Sequence, residues 1–183
     1  MDNGASSYRR YLNGDESAFR EIVQAYSDNL IFFIDRYVHD LAAAEDIALD
    51  AFTDLVVNRH RYNFKVSLKT YLFMIGRSRA LDYIKHRSKF STVELSEVAE
   101  IPSEGLSLEE RILADQRKQA VDKALAQLGD ELREVVHLVY FEALSCDEAA
   151  KVMKKNRKQV YNLLYRAKNA LRAILGEEGE LLV

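Results

Sequence analysis

One stretch of the chain, Lys154–Arg172, carries basic but no acidic residues, although the whole chain has a formal net charge of −3. Its apolar side chains recur every three or four positions, which predicts an amphipathic helix with one core-facing stripe. The inward set is Val160, Leu164, Ala167, Leu171 and Ile174. The outward set is Lys158, Gln159, Asn162, Tyr165, Arg166 and Asn169. An anionic partner would favour such a face, and an acidic residue on it would oppose binding.

The residues that precede this helix predict a helix-turn-helix. The sequence SCDE at Ser145–Glu148 matches a capping box, and Asn156 is a suitable N-cap for the second helix. Three apolar residues of the first helix, Ala149, Val152 and Met153, are expected to face inward. A helix-turn-helix inserts the start of its second helix into the major groove of DNA.

The side chains of this face can recognise both bases and phosphates. Amides such as Gln159 and Asn162 can pair with adenine edges, and Arg166 can contact guanine or phosphate. Basic residues around the turn are expected near the DNA backbone: Lys151, Lys154, Lys155 and Arg157. Gly is common in such turns, and a lysine at positive φ costs about 1 kcal/mol more than Gly. A solvated basic face on a structural helix remains the alternative interpretation.

A second cluster combines cations with aromatic rings. It comprises Arg59, Arg61, Tyr62, Phe64, Lys65, Lys69 and Tyr71, with Arg77 and Arg79 further along the next helix. Single-stranded nucleic acid binds to such surfaces because its bases stack on rings while Lys and Arg hold its phosphates. For each ring taken alone, packing in the core is the competing explanation.

The helix that precedes this cluster is acidic. Asp46, Asp50 and Asp54 are spaced by four residues and are expected to share one face. A carboxylate stripe suits a basic protein partner better than DNA. No histidine joins the stripe within the helix, so a metal site is not expected, and a solvated face is the alternative.

Helical periodicity predicts the elements that position these residues. A long helix starts near Asp15, with Asn13 and Glu16 read as its capping box. Asp40 is expected to cap a second helix, and residues 58–67 are irregular. The inner face of the second helix is predicted to be Leu41, Ala44, Ile47, Ala48, Ala51, Phe52 and Leu55. A third helix is expected at about Leu68–Lys89.

Residues 91–110 differ in composition, because they contain many glutamates, the only proline and no Lys or Arg. They predict an acidic flexible linker, after which SLEE at Ser107–Glu110 opens a helix to about Leu128 and a short helix covers Leu132–Phe141. The fold class is therefore all-α, with two small helical domains and no competing strand pattern. The expected boundaries are 1–90 for the first domain, 91–108 for the linker, 109–176 for the helix-turn-helix domain and 177–183 for a tail.

Composition argues against several classes of protein. The single cysteine, Cys146, cannot form an intramolecular disulfide or a cysteine-rich zinc site. The start of the chain lacks the apolar core of a signal peptide, and no apolar run is long enough for membrane insertion. A phosphate-binding glycine loop and a nucleophile motif are also missing, so an enzyme is not expected. We expect a cytoplasmic protein without a cofactor or metal.

Three segments together resemble the bacterial extracytoplasmic-function (ECF) sigma factors of RNA polymerase, in the sigma-70 family. They are AEDIALDAF at Ala44–Phe52, SLKTYLFMIGRSRALDYIKHR at Ser67–Arg87, and YFEALSCDEAAKVMKKNRKQVYNLLYRAKNALR at Tyr140–Arg172. Their order and spacing match the family over nearly the whole chain. The resemblance implies a transcription initiation factor that directs core RNA polymerase to promoters and promotes DNA melting.

The resemblance also implies roles for individual residues. Asp46, Leu49, Asp50 and Phe52 fall on the motif that docks on the clamp helices of the polymerase β′ subunit. Residues 58–67 resemble the loop that captures a base flipped from the minus-ten element, and the third helix would guide the non-template strand. In the second domain, the positions that read the minus-thirty-five element are matched by Tyr161, Asn162, Tyr165 and Arg166.

Further partners implied by the resemblance are the polymerase β flap, promoter DNA and an anti-sigma factor, with the free protein monomeric. The chain departs from the usual family pattern at Leu49, Tyr71, Lys154, Lys155, Gln159, Tyr161 and Leu163, which leads us to expect an unusual promoter sequence. Two other readings stay open from the residues alone. One is a stand-alone helix-turn-helix regulator, and the other is a helical interaction protein without a DNA site.

Overall fold

A computed structural model describes residues 4–87 and 120–175. The described residues divide into two compact units, and every regular element in them is helical, as the sequence predicts. The predicted linker at 91–108, the SLEE capping box and the tail at 177–183 lie outside the described residues.

The N-terminal unit is built on four α-helices. They are α1 (Ala5–Leu12), α2 (Glu16–Val38), α3 (Leu41–Val57) and α4 (Leu68–Arg87), with one 3₁₀ turn at Arg59–Arg61. The long α2 packs against the other three helices, and α3 also packs against α4. Helix α1 is an addition to the predicted elements, because its eight residues offer too short a periodic pattern to stand out.

The start of α2 differs from the prediction. Asp15, and not Asn13, is the N-cap, since its Oδ1 accepts hydrogen bonds from the backbone N–H groups of Ser17 (3.1 Å) and Ala18 (3.3 Å). Asn13 instead closes the end of α1, where its backbone N–H donates to the carbonyl of Arg9 at 3.1 Å. The predicted cap of α3 is confirmed, because Asp40 Oδ1 accepts from the backbone N–H of Ala43 at 3.1 Å.

Close approach of α2 and α4 forms the centre of this core. A Cβ atom added to Gly76 would lie 2.9 Å from Leu30 Cδ1 and 3.2 Å from Ile34 Cδ1, so a larger residue would require these side chains to shift. The predicted inner face of α3 is buried with one exception. Leu41 is 51% exposed, because it is the first residue of the helix and projects beyond the neighbouring helices.

The C-terminal unit begins with helical residues 120–126. Three labelled helices follow: α5 (Asp130–Val136), α6 (Cys146–Met153) and α7 (Arg157–Leu175). The sequence predicts one short helix at Leu132–Phe141, but the structure starts it at Asp130 and ends it with a π-helical turn, His137–Phe141. The guanidinium of Arg133 joins α5 to the preceding segment by donating to the carbonyls of Leu125 (3.2 Å) and Leu128 (2.8 Å).

The helix-turn-helix consists of α6, a short turn and α7. Its predicted capping box is confirmed, since the backbone N–H of Ser145 donates to Glu148 Oε2 at 3.0 Å and that of Glu148 donates to Ser145 Oγ at 3.3 Å. Lys154 occupies the turn at φ 54°, the conformation for which Gly is usual. The next residue, Lys155, forms an ion pair, since its Nζ lies 2.7 Å from Glu131 Oε1.

The predicted inward face of the recognition helix α7 is largely correct. Val160, Leu164 and Ala167 are buried, but Ile174 is 37% exposed. The helix has 19 residues, whereas α5 and α6 have 7 and 8, so they are too short to cover its last turn.

Candidate nucleic-acid interface

One surface of α3 combines carboxylates with an apolar side chain. Asp46 and Asp50 are exposed, and Leu49 between them is 65% exposed. Phe52 is only 4% exposed, so it belongs to the core and does not offer its ring to a partner. The predicted stripe of three carboxylates is also shorter than expected, since the side chain of Asp54 is only 10% exposed.

Basic side chains of the neighbouring elements hold two of these acids. The Nη1 atom of Arg79 lies 3.0 Å from Asp50 Oδ2, and that of Arg61 lies 3.4 Å from Asp54 Oδ1. The acidic face of α3 and the basic cluster are therefore adjacent surfaces of the same unit. The pairs leave Arg61 largely exposed, with 58% of its side chain accessible to solvent.

Residues 58–67, the aromatic loop, bring three predicted rings together. The Tyr62 ring centroid lies 4.7 Å from that of Phe64 and 5.0 Å from that of Tyr71. Tyr62 is 3% exposed and its hydroxyl donates to the Val66 carbonyl at 2.8 Å, whereas Phe64 and Tyr71 are half-buried. Burial raises the pKa of Tyr71 above its ordinary value, so this hydroxyl stays protonated and can donate a hydrogen bond.

The basic residues of the predicted set differ in their exposure. Arg59, Arg61 and Lys65 are exposed, while Lys69, Arg77 and Arg79 are half-buried. The ammonium of Lys69 lies 5.7 Å from the ring centroid of Phe73, within the range of a cation–π contact. The unit thus combines a half-buried aromatic cluster with basic side chains on the loop and on α4, which fits a single strand with an unstacked base.

Sequence reasoning missed the contribution of α1 to this cluster. Tyr8 is fully buried, its ring lies 5.4 Å from that of Tyr62, and its hydroxyl donates to the Leu55 carbonyl at 2.8 Å. Burial raises the pKa of Tyr8 to about 12. The spacing of Tyr8 and Tyr11 in SYRRYL was the available signal, since these positions lie one helical turn apart.

On α7 the structure exposes every residue of the predicted set. These residues are Asn156, Arg157, Lys158, Gln159, Tyr161, Asn162, Tyr165 and Arg166. Tyr165 is 69% exposed and Tyr161 48%, which is unusual for rings of a small helical unit and leaves both available to a partner. The recognition face therefore projects from the unit, while the opposite face of the helix forms its core.

Two contacts organise the start of the recognition helix. Asn156 and Gln159 cap it reciprocally: the Gln159 backbone N–H donates to Asn156 Oδ1 at 2.9 Å, and the Asn156 backbone N–H donates to Gln159 Oε1 at 2.8 Å. The side-chain oxygen of Gln159 is thus occupied, and its amide nitrogen is left as the group that can reach a base. Bidentate pairing of Gln159 with adenine, which the sequence predicts, requires that oxygen to leave the cap.

Arg157 is held beside Tyr161 on the same face. Its guanidinium carbon lies 5.4 Å from the ring centroid, and Nη2 donates to the tyrosine hydroxyl at 3.2 Å. Its Nη1 also lies 3.5 Å from Asp147 Oδ2. The hydrogen bond to Tyr161 and the charge of Asp147 raise the pKa of Arg157, which stays cationic.

Comparisons with known proteins agree with this geometry. The family model for sigma-70 region 2 matches residues 22–90, and that for sigma-70 region 4 matches residues 118–171. The chain belongs to the sigma-70 family. The two matched regions contain the aromatic loop and the helix-turn-helix respectively, and this sigma factor is a transcription initiation factor that directs RNA polymerase to promoters.

Curated relatives resemble this sigma factor along most of its length. The ECF RNA polymerase sigma factor SigW of Bacillus subtilis is 25% identical over 172 residues, which is 90% of this chain and 92% of the relative. The RNA polymerase sigma-H factor of Pseudomonas aeruginosa is 26% identical over 170 residues, 88% of each chain. Both names place the relatives among RNA polymerase sigma factors.

A solved structure shows the same fold. It is the sigma factor RpoE in complex with the anti-sigma factor NepR from Bartonella quintana, with a TM-score of 0.68 and 22% identity. The match covers 87% of this chain and 98% of the other.

Within residues 4–87 and 120–175 there is neither a metal-binding cluster nor a membrane-spanning helix. No group of three or more His, Cys, Asp or Glu side chains there is arranged to hold a metal ion. No helix in these ranges combines the length and the apolar character needed to cross a membrane.

Proposed function

We propose that this sigma factor works as an ECF-type factor that divides its tasks among three surfaces. The exposed face of α3, with Asp46, Leu49 and Asp50, docks on the clamp helices of the polymerase β′ subunit. The aromatic loop and α4 bind the minus-ten element and stabilise the melted strand. Helix α7 reads the minus-thirty-five element, and residues 91–108 connect the two domains.

The observation that carries this proposal lies within the N-terminal unit. One surface of α3 pairs carboxylates with an exposed leucine, and the ion pair between Asp50 and Arg79 links that surface to the basic helix α4. An acidic face repels DNA but suits a basic protein surface, whereas the neighbouring aromatic loop suits a single strand. A protein-binding face and a strand-binding loop in one unit are what a promoter-melting factor requires.

The same surfaces fit two further partners. A polypeptide that covers the α3 face would block polymerase binding, so an anti-sigma partner is part of the proposal, and the solved RpoE structure contains such a partner. The β flap is proposed to dock on the C-terminal domain. The factor acts in the cytoplasm, is monomeric when free, and contributes binding energy without catalysing a reaction itself.

Gel filtration with bacterial core RNA polymerase tests the proposal. The wild-type chain is expected to co-elute with the core enzyme, and the double variant Asp46→Lys, Asp50→Lys is expected to elute separately, because reversed charge on this face is repulsive. The matched control, Asp28→Lys with Asp82→Lys, changes the net charge by the same amount at exposed acids outside the face. Loss of co-elution by both variants, or by neither, would contradict docking through α3.

A further inference from the structure

Phe64 adopts a backbone conformation that a phenylalanine rarely takes. Its φ is 61°, in the left-handed region where a bulky side chain crowds the backbone. Such a conformation persists only where the surroundings hold it, and it is frequent at functional sites. The contacts of the Phe64 ring therefore show what maintains the shape of the aromatic loop.

The ring of Phe64 is held from two elements. Within the loop, Tyr62 contacts it at a centroid distance of 4.7 Å. From α1, Tyr8 approaches at 6.1 Å, and the guanidinium carbon of Arg9 lies 4.8 Å from the ring centroid. Tyr62 and Tyr8 are buried, so Arg9 is the exposed member of this group.

Helix α1 is itself anchored on both sides of Arg9. The buried hydroxyl of Tyr8 donates to the Leu55 carbonyl at 2.8 Å. One turn later, the hydroxyl of Tyr11 accepts from Arg59 Nη2 at 3.0 Å, and that guanidinium lies 5.0 Å from the Tyr11 ring centroid. Because Arg59 begins the 3₁₀ turn of the aromatic loop, α1 is fixed to α3 and to the loop at once.

Charge adds a second reason to single out Arg9. A guanidinium over a ring remains charged and hydrated on its outer side, so it can attract a phosphate while it contacts the ring. The next residue, Arg10, is directed elsewhere: its guanidinium forms ion pairs with Asp15 at 2.7 Å and Glu21 at 3.0 Å. Helix α1 also precedes the region 2 match, which begins at residue 22.

We propose that Arg9 is a positioning residue for promoter opening, which holds the Phe64 ring in place for an unstacked base and adds a positive charge beside it. This rests on the proposed function of the aromatic loop. Arg9 acts after polymerase docking and after recognition of the minus-thirty-five element, because α3 and α7 supply those contacts. The step that depends on it is strand separation.

The test uses holoenzyme reconstituted from core polymerase and full-length chain, on a promoter that wild-type holoenzyme transcribes. Opening is followed by the fluorescence of 2-aminopurine placed in the non-template minus-ten strand. Arg9→Ala is expected to slow opening about two- to fivefold, which corresponds to the loss of one exposed cation–π contact. Arg9→Lys should restore part of the rate, because an ammonium also binds a ring face.

Two comparisons separate a local role from general damage. Arg10→Ala removes the same charge from the same helix and should open promoters at close to the wild-type rate. On a template with mismatched bases across the minus-ten element, where no opening is needed, Arg9→Ala should transcribe like the wild type. Co-elution with core polymerase should be the same for all variants.

Specific outcomes would overturn the inference. Equal defects in Arg9→Ala and Arg10→Ala would assign the effect to helix stability or net charge. Faster opening by Arg9→Ala would make Arg9 a plug over the ring that DNA must displace. Opening at the wild-type rate after Phe64→Ala would instead contradict the proposed function of the loop.

Discussion

The aromatic loop and the recognition helix α7 differ in how far their candidate DNA-binding side chains are exposed. In the loop, Tyr62 is 3% exposed and Phe64 is enclosed by rings and a guanidinium, so the functional groups are part of the packing. On α7, Tyr165 is 69% exposed, and the packing lies on the other side of the helix. The shape of the loop is therefore fixed by packing, whereas the exposed side chains of α7 lie outside the core.

This difference fits the partner that we propose for each surface. A base taken out of the stack costs a few kcal/mol, which a preformed aromatic site can offset without further ordering. Duplex DNA already presents its base edges in the major groove, so a reading helix needs reach and rotamer freedom more than a pocket. Under the proposed function, the packed aromatic loop serves melting and the exposed face of α7 serves recognition.

The largest expected difference between the two regions is the loss of stability when one tyrosine in each is replaced by alanine. Tyr62→Ala should lower the free energy of unfolding by about 3–5 kcal/mol, because it removes a buried ring from a packed cluster. Tyr165→Ala should change it by less than about 0.5 kcal/mol, since the ring is exposed. Urea unfolding followed by circular dichroism measures both variants, and equal destabilisation would remove the distinction between the two regions.

A smaller effect is expected from the recognition face itself. Asn162→Ala and Arg166→Ala should each weaken discrimination at one base pair of the minus-thirty-five element by about 1–3 kcal/mol while leaving the thermal unfolding midpoint unchanged. Electrophoretic binding assays of holoenzyme on a panel of single-base promoter variants measure this. Lys123→Ala, an exposed position distant in sequence from the helix-turn-helix, is the charge control for Arg166. A uniform loss over all promoter variants would show that these residues contact only phosphate.

The smallest expected effect is a change in how the stability of the N-terminal unit depends on pH, through the N-cap of α2. Hydrogen bonds from Ser17 and Arg10 lower the pKa of Asp15 to about 2. Its contribution to stability is therefore complete above the ordinary carboxyl pKa of about 3.9 and is lost as the pH falls towards 2. Asp15→Asn keeps a capping side chain but cannot ionise. Its free energy of unfolding should therefore depend less on pH between about 4 and 2 than that of the wild type. An identical pH profile would exclude Asp15 as a source of acid sensitivity.

Periodicity predicts most of the fold because long helices repeat their apolar pattern many times. The sets on α3 and α7 were right except at the helix ends, where Leu41 and Ile174 extend beyond the residues that could cover them. The cap of α2 was assigned to Asn13 instead of Asp15, since both positions carry a side chain of the preferred type and only the turn after α1 decides between them.

The candidate site was predictable in its residue types but less so in its geometry. The basic and aromatic residues of the predicted cluster do bring three rings together, yet no local pattern shows that α1, nearly fifty residues earlier, supplies Tyr8 to the same cluster. Likewise, Phe52 lies on the family motif and also on the apolar stripe of α3, and burial placed it in the core. Contacts between residues that are far apart in the chain decide such cases, and these contacts leave no pattern that can be recognised in a single sequence.

The reciprocal cap between Asn156 and Gln159 has a consequence for how this factor can diverge. Gln159 closes the first turn of α7 and is also one of the residues proposed to read a base, so a substitution there is expected to alter helix stability and promoter preference together. At positions one turn later, such as Asn162, a substitution does not remove a helix cap. Over evolutionary time, promoter specificity should therefore drift more easily through the second turn of the helix than through its first.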